Sequence, residues 1–175
     1  MIAVQLLITL VLFGIFIQDM KSRAVYWLWF PLLVVLFLVC NLVARHIQFA
    51  ELWHNIVYNA CFIGLQLLVV NIYFSVKNRA WINISDGLLG LGDILLLISV
   101  AFYLSFLNYI FFYISSLVAV LICWPVVSLL FQKNNKQIPL AGLQSVILIV
   151  FLVFQFWSKK IDLTSDNWLL HLLYQ

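Results

Sequence analysis

Charge is scarce in this chain. Lys, Arg, Asp and Glu together make up 9% of its 175 residues, while 66% are apolar or aromatic. A soluble domain of this size has too little interior to hide that much apolar surface, so a cytosolic or secreted globular protein is excluded and the solvent is lipid. No H-E-x-x-H string is present, which removes the zinc-protease pattern. Cys40, Cys61 and Cys123 stand singly without a C-x-x-C pair, so they read as buried apolar thiols rather than zinc ligands. His46, His54 and His171 all fall near the opposite ends of the apolar runs from the acids discussed below, which argues against a Ser–His or Cys–His pair. There is no internal repeat, low-complexity tract or long linker. In an apolar chain the net charge of +3 speaks to topology rather than to nucleic acid.

What is present is a series of apolar runs of roughly 20 residues, cut by charges and turn formers. Six spans are predicted: about Ile2 to Gln18, Val25 to Val43, Leu52 to Phe74, Leu88 to Phe106, Tyr109 to Phe131, and Ile138 to Trp157. The fold class is therefore all-α, a polytopic membrane bundle of six transmembrane helices. Residues 1–157 form the membrane domain and 158–175 an outer-face tail. That tail reads either as an interfacial helix or as disordered chain. The first span lacks a basic n-region and a small-residue cleavage site, and is expected to be a retained helix rather than a signal peptide.

Orientation follows from the short loops. Lys21, Arg23, Lys77, Arg79, Lys133 and Lys136 fall on one side, and Arg45, Lys159 and Lys160 on the other. The richer side is expected to be cytoplasmic, with the N-terminus outside. Asp19, at the end of the first span, and Asp93, near the start of the fourth, then lie on the same side.

Glu51, Asp162 and Asp166 fall in outer loops or the tail, where solvation accounts for them. Asp86 follows Ser85 at the mouth of the fourth span and suits a helix N-cap, with a supporting role at a site as the alternative. Asp93 lies seven residues further on, on the same helix face and about 10 Å deeper, which is too deep for a cap. An ionisable group inside a membrane helix needs a reason. Gly90, one turn before Asp93 on its face, makes room beside the carboxylate, and both Gly90 and Gly92 allow close backbone approach.

Two carboxyl groups at matching depth on neighbouring helices point to specific chemistry. Held close in a poorly solvated site they share a proton, so one can take a proton from water while the other donates to a carbonyl oxygen or leaving amine. No metal, cofactor or nucleophilic side chain is required. The alternative is a pair of acids neutralised by Lys21, Arg23 or Lys77, tying helix ends together.

Three features, in order along the chain, resemble one family: "DMKSR" from Asp19 to Arg23, "GLGDILLL" from Gly90 to Leu97, and a basic loop leading into "KQIPLAG" from Lys136 to Gly142. Together they look like the prepilin and preflagellin peptidases, intramembrane aspartyl proteases with a G-x-G-D signature. The likeness runs over essentially the whole chain, at the length of the small members without a methyltransferase activity or cysteine-rich loop. The chain departs from the family pattern in having no Pro-Asn shortly after Arg23 and no second proline after Pro139.

The resemblance implies an endopeptidase of the cytoplasmic membrane that removes a short basic leader from prepilin-like substrates on the cytoplasmic side. Asp19 and Asp93 match the catalytic pair. Gly90 and Gly92 would support backbone access, with Arg23, Lys77, Lys136 and Pro139 at the mouth of the site. The other class that fits is a non-enzymatic polytopic protein, a small transporter or assembly subunit using its acids for proton coupling or packing.

Overall fold

A computed structural model describes residues 2–78, 90–131, 139–158 and 161–173. Helix α1 (Ile2–Ser22) is followed by α2 (Trp29–Val39), which runs into a π-helical turn (Cys40–Ala44). Then come α3 (Phe49–Asn78), α4 (Leu91–Val100), α5 (Phe106–Phe131), α6 (Leu140–Trp157) and the short α7 (Asn167–Leu173). No strand occurs among the described residues. Helix α1 packs most extensively on α6 and then on α2, α4 fits against α2 and α6, and α3 lies at the edge with few buried residues. Ile8, Leu12, Ile15, Leu33, Phe37, Leu96 and Leu148 fill the centre. Large apolar side chains, Leu10, Leu65 and Leu121 among them, are exposed around the outside, as the lipid-facing surface of a membrane bundle requires.

The expectation of six full spans is not met. Among the described residues, four helices are long and apolar enough to cross a membrane: Ile2–Ser22, Phe49–Asn78, Phe106–Pro125 and Leu140–Trp157. The second and fourth runs form shorter apolar helices, Trp29–Val43 and Leu91–Val100. Pro31 explains the late start of α2. In a helix begun at Val25 its ring would clash with the preceding turn, whereas at the third position of α2 its missing N–H costs nothing. Helix α4 has ten residues, about 15 Å against a hydrocarbon core of about 30 Å. It begins only after Gly90, whose backbone is extended, and ends where the chain turns through Ala101 to Leu104.

That turn is buried, so its carbonyls need donors from within the protein. Asn59 Nδ2 donates to the carbonyls of Ala101 (3.1 Å) and Leu104 (2.9 Å). Asn41 Nδ2 donates to those of Phe102 (3.0 Å) and Tyr103 (3.4 Å). Two polar residues on flanking helices thus make an interrupted helix tolerable at depth.

At the far end of the bundle from Asp19, the chain after α6 folds back. Asp162 forms an ion pair with Arg45 and accepts from the backbone N–H (3.1 Å) and hydroxyl (2.8 Å) of Thr164. Asp166 Oδ1 accepts from the backbone N–H groups of Leu107 (3.1 Å) and Asn108 (3.4 Å), capping α5 from outside its own sequence. Trp168 Nε1 donates to Asn108 Oδ1 at 3.0 Å. These two acids are therefore structural, not merely solvated. Apart from Thr164, the partners named here lie more than fifty residues away in sequence, which is why local reading misses them.

Burial works against the charged form of Asp162, but Thr164 and Arg45 outweigh it and hold the carboxyl below its ordinary range. With the folded value below the unfolded one of about 3.9, the stabilisation is present above that pH and fades as pH falls through the lower folded value. Asp162→Asn is expected to lower the thermal midpoint at neutral pH by about 2–4 °C. The difference from wild type should vanish at strongly acidic pH, and a melting series against pH reads it.

Candidate active site

Asp19 lies in the last turn of α1 and Asp93 in the first turn of α4, and both are nearly enclosed, at 6% and 9% exposure. What joins them is the N-terminus of α6. The first turn of any helix leaves backbone N–H groups without partners, and a Ser, Thr, Asp or Asn at the N-cap commonly takes one. Here the N-cap is Pro139, which is buried and offers no side-chain acceptor. The donors at the second and third helical positions go instead to two acids from other helices. Ala141 N–H donates to Asp93 Oδ1 and Gly142 N–H donates to Asp19 Oδ2, each at 2.6 Å. Consecutive amides of one turn therefore set the carboxyl groups side by side, within electrostatic reach of each other. The positive end of the α6 dipole adds to the attraction.

The second oxygen of Asp93 is also engaged. Gly90 N–H donates to Asp93 Oδ2 at 3.2 Å, so the carboxylate closes back on the N-cap of its own helix. The expectation that Asp93 sits too deep to act as a cap is corrected by this contact: the Gly-Leu-Gly stretch delays the helix, and Asp93 becomes its third residue. Gly90 does make room beside the carboxylate, since an added Cβ would lie 3.0 Å from Asp93 Oδ2. Gly92 faces Val25 and Phe30, where a Cβ would fit at ordinary contact distance, 3.7 Å or more. Among the described glycines, Gly142 makes the closest approach to another helix. A Cβ there would lie 3.1 Å from both Cβ and Oδ2 of Asp19 and 3.4 Å from the carbonyl of Phe16.

Arg23 follows α1 with φ of 55°, and its N–H donates to the Asp19 carbonyl at 2.9 Å. That left-handed residue turns the chain sharply, leaving the guanidinium close enough to attract the Asp19 carboxylate and 6.0 Å from the Trp124 ring. Lys77 is exposed at the end of α3, with its ammonium over the Tyr73 ring and no hydrogen bond to either acid. Lys136 and Asp86 lie outside the described residues. No cluster of His, Cys, Asp and Glu that could hold a metal occurs among the described residues. Ala141 and Gly142 are the site residues that sequence reading passed over, because their contribution comes from the backbone. The available signal was a proline with no capping side chain, followed by small residues.

Fold and site together define a class: a helical membrane protein with an enclosed acid pair docked on the start of one helix. Comparison of the chain with protein-family models, with curated proteins and with solved structures returned no match.

Proposed function

We propose that the protein is a membrane-embedded aspartic endopeptidase that removes the short basic leader of prepilin-like proteins. The observation that carries this reading is the docking of Asp19 and Asp93 on the adjacent amides of Ala141 and Gly142. Two carboxyl groups fixed side by side in a poorly solvated site share one proton. The ionised member then takes a proton from an attacking water while the protonated one donates to the scissile carbonyl oxygen. The acid that took the water's proton passes it to the leaving amine, and the other recovers its proton from the tetrahedral diol as the C–N bond breaks. The α6 amides are already committed to the carboxyl groups, so their part is to orient the pair. The scissile segment must be extended, because a helix conceals its own peptide bonds.

In this reading all six apolar segments belong to the membrane domain, α2 and α4 as short elements supported by their neighbours. The acid end faces the cytoplasm with the N-terminus outside, as the basic loops indicate. Arg23 and, from the sequence, Lys136 lie at that mouth.

One observation favours a second reading. Each acid already ties α1 or α4 to α6, so the pair also serves as a packing device in a non-enzymatic membrane protein. Incubating the purified protein in liposomes with a prepilin-like substrate separates the two. Under the protease reading the product mass reports one cut between the basic leader and the hydrophobic helix. Intact substrate across several such sequences, with the enzyme folded, favours the packing role.

A further inference from the structure

On the face of α1 opposite the acid pair, a groove of about 670 Å³ lies between α1 and α2. Gly14, Ile17, Gln18 and Lys21 recur at helical spacing and form one wall, with Tyr26, Trp29 and Leu32 across from them. Its depth has a local cause. The Trp29 indole lies against Gly14, where an added Cβ would come within 3.2 Å of the ring. Trp29 Nε1 is fixed by Gln18 Oε1 at 2.9 Å, and the same oxygen accepts from Tyr26 N–H at 3.2 Å. The floor is apolar, while the end near the α1 terminus carries the exposed Lys21 ammonium, which has no hydrogen bond or ion pair among the described residues.

We propose that this groove binds one anionic phospholipid, with an acyl chain along Gly14, Ile17 and Leu32 and the phosphate at Lys21 beside Tyr26. An apolar trough of this size closed by a single cation is complementary to an amphiphile with a negative head. Charge disfavours the other occupants. A basic leader peptide is repelled by Lys21, and a second copy docked through the same face brings Lys21 towards Lys21. The groove does not share the acids' face of α1, so it stands apart from the peptidase reading and is tested without substrate.

Native mass spectrometry of the full chain, with added phosphatidylglycerol or phosphatidylcholine, tests the site. Wild type should retain the anionic lipid about fivefold more than the zwitterionic one, the preference expected from one lysine at a headgroup. Lys21→Gln should remove that preference and Lys21→Arg keep it. Ile17→Trp, which fills the trough from its exposed rim, should lower retention of both lipids, with thermal melting confirming the fold. Lys77→Gln, exposed at the end of α3 and away from the groove, should change nothing. Equal retention of the two lipids by wild type overturns the proposal, as does loss of preference in Lys77→Gln equal to that in Lys21→Gln. Capture of a second copy or of a substrate helix by a cross-linker at Ile17→Cys, undiminished by phosphatidylglycerol, overturns it as well.

Discussion

Asp19→Asn and Asp93→Asn should each lower the cleavage rate of the proposed peptidase by about 10³-fold or more, since that reading needs both carboxyl groups to share a proton. Their stabilities should differ. Asp19 accepts one backbone N–H through Oδ2, so an Asn there can turn its single carbonyl oxygen to Gly142 and keep the contact. Asp93 accepts through both oxygens, from Ala141 and from Gly90. An Asn at that position must place its NH₂ against one of two N–H donors, so either the buried Ala141 N–H or the part-buried Gly90 N–H loses its acceptor, at a cost of about 1–3 kcal/mol. The expected pattern is two inactive enzymes, one melting near the wild-type temperature and one several degrees lower. Cleavage kinetics and thermal unfolding on the same preparations read both halves. Wild-type turnover by either variant removes the catalytic assignment. A stability loss without any activity to lose leaves the packing role.

The apolar runs were legible because hydropathy alone sets them, and each of the six yields a helix. Their lengths were not. A run such as Leu88 to Phe106 carries enough hydrophobicity for a span, but its backbone conformation is decided by Gly90 at one end and by Asn41 and Asn59 at the other. Those asparagines lie on other helices and show no periodicity of their own. The acid pair was legible for the opposite reason: an ionisable side chain in an apolar helix is an anomaly that needs no structure to notice. Its supports were hidden, because backbone N–H groups look alike in every sequence. The clasp of Arg45, Asp162 and Asp166 at the far end of the bundle was hidden by distance along the chain, and charged residues near a terminus invite a solvated reading.

Gly142 gives the sharpest test of whether the start of α6 orients the acids. A side chain at this position meets the Asp19 carboxyl and its Cβ at 3.1 Å and the Phe16 carbonyl at 3.4 Å. The Asp19 carboxyl oxygen can swing aside, but Asp19 Cβ and the Phe16 carbonyl cannot yield without moving α1 against α6, the most extensive helix contact in the bundle. Gly142→Val should therefore separate the two helices, break the amide contact to Asp19, and destabilise the protein by about 1–3 kcal/mol. Displacing one carboxyl group by about 1 Å relative to its partner is expected to lower kcat on the order of 10²-fold. Gly142→Ala should fall between this variant and wild type. Two other glycines set the baseline: Gly64 has nothing within 4 Å of an added Cβ, and Gly92 has only ordinary contacts, so Ala at either should leave turnover near wild type. A glycine effect spread evenly over all three positions would point to general helix loosening. An effect concentrated at Gly142 ties activity to the one place where the backbone of α6 must touch an acid of α1.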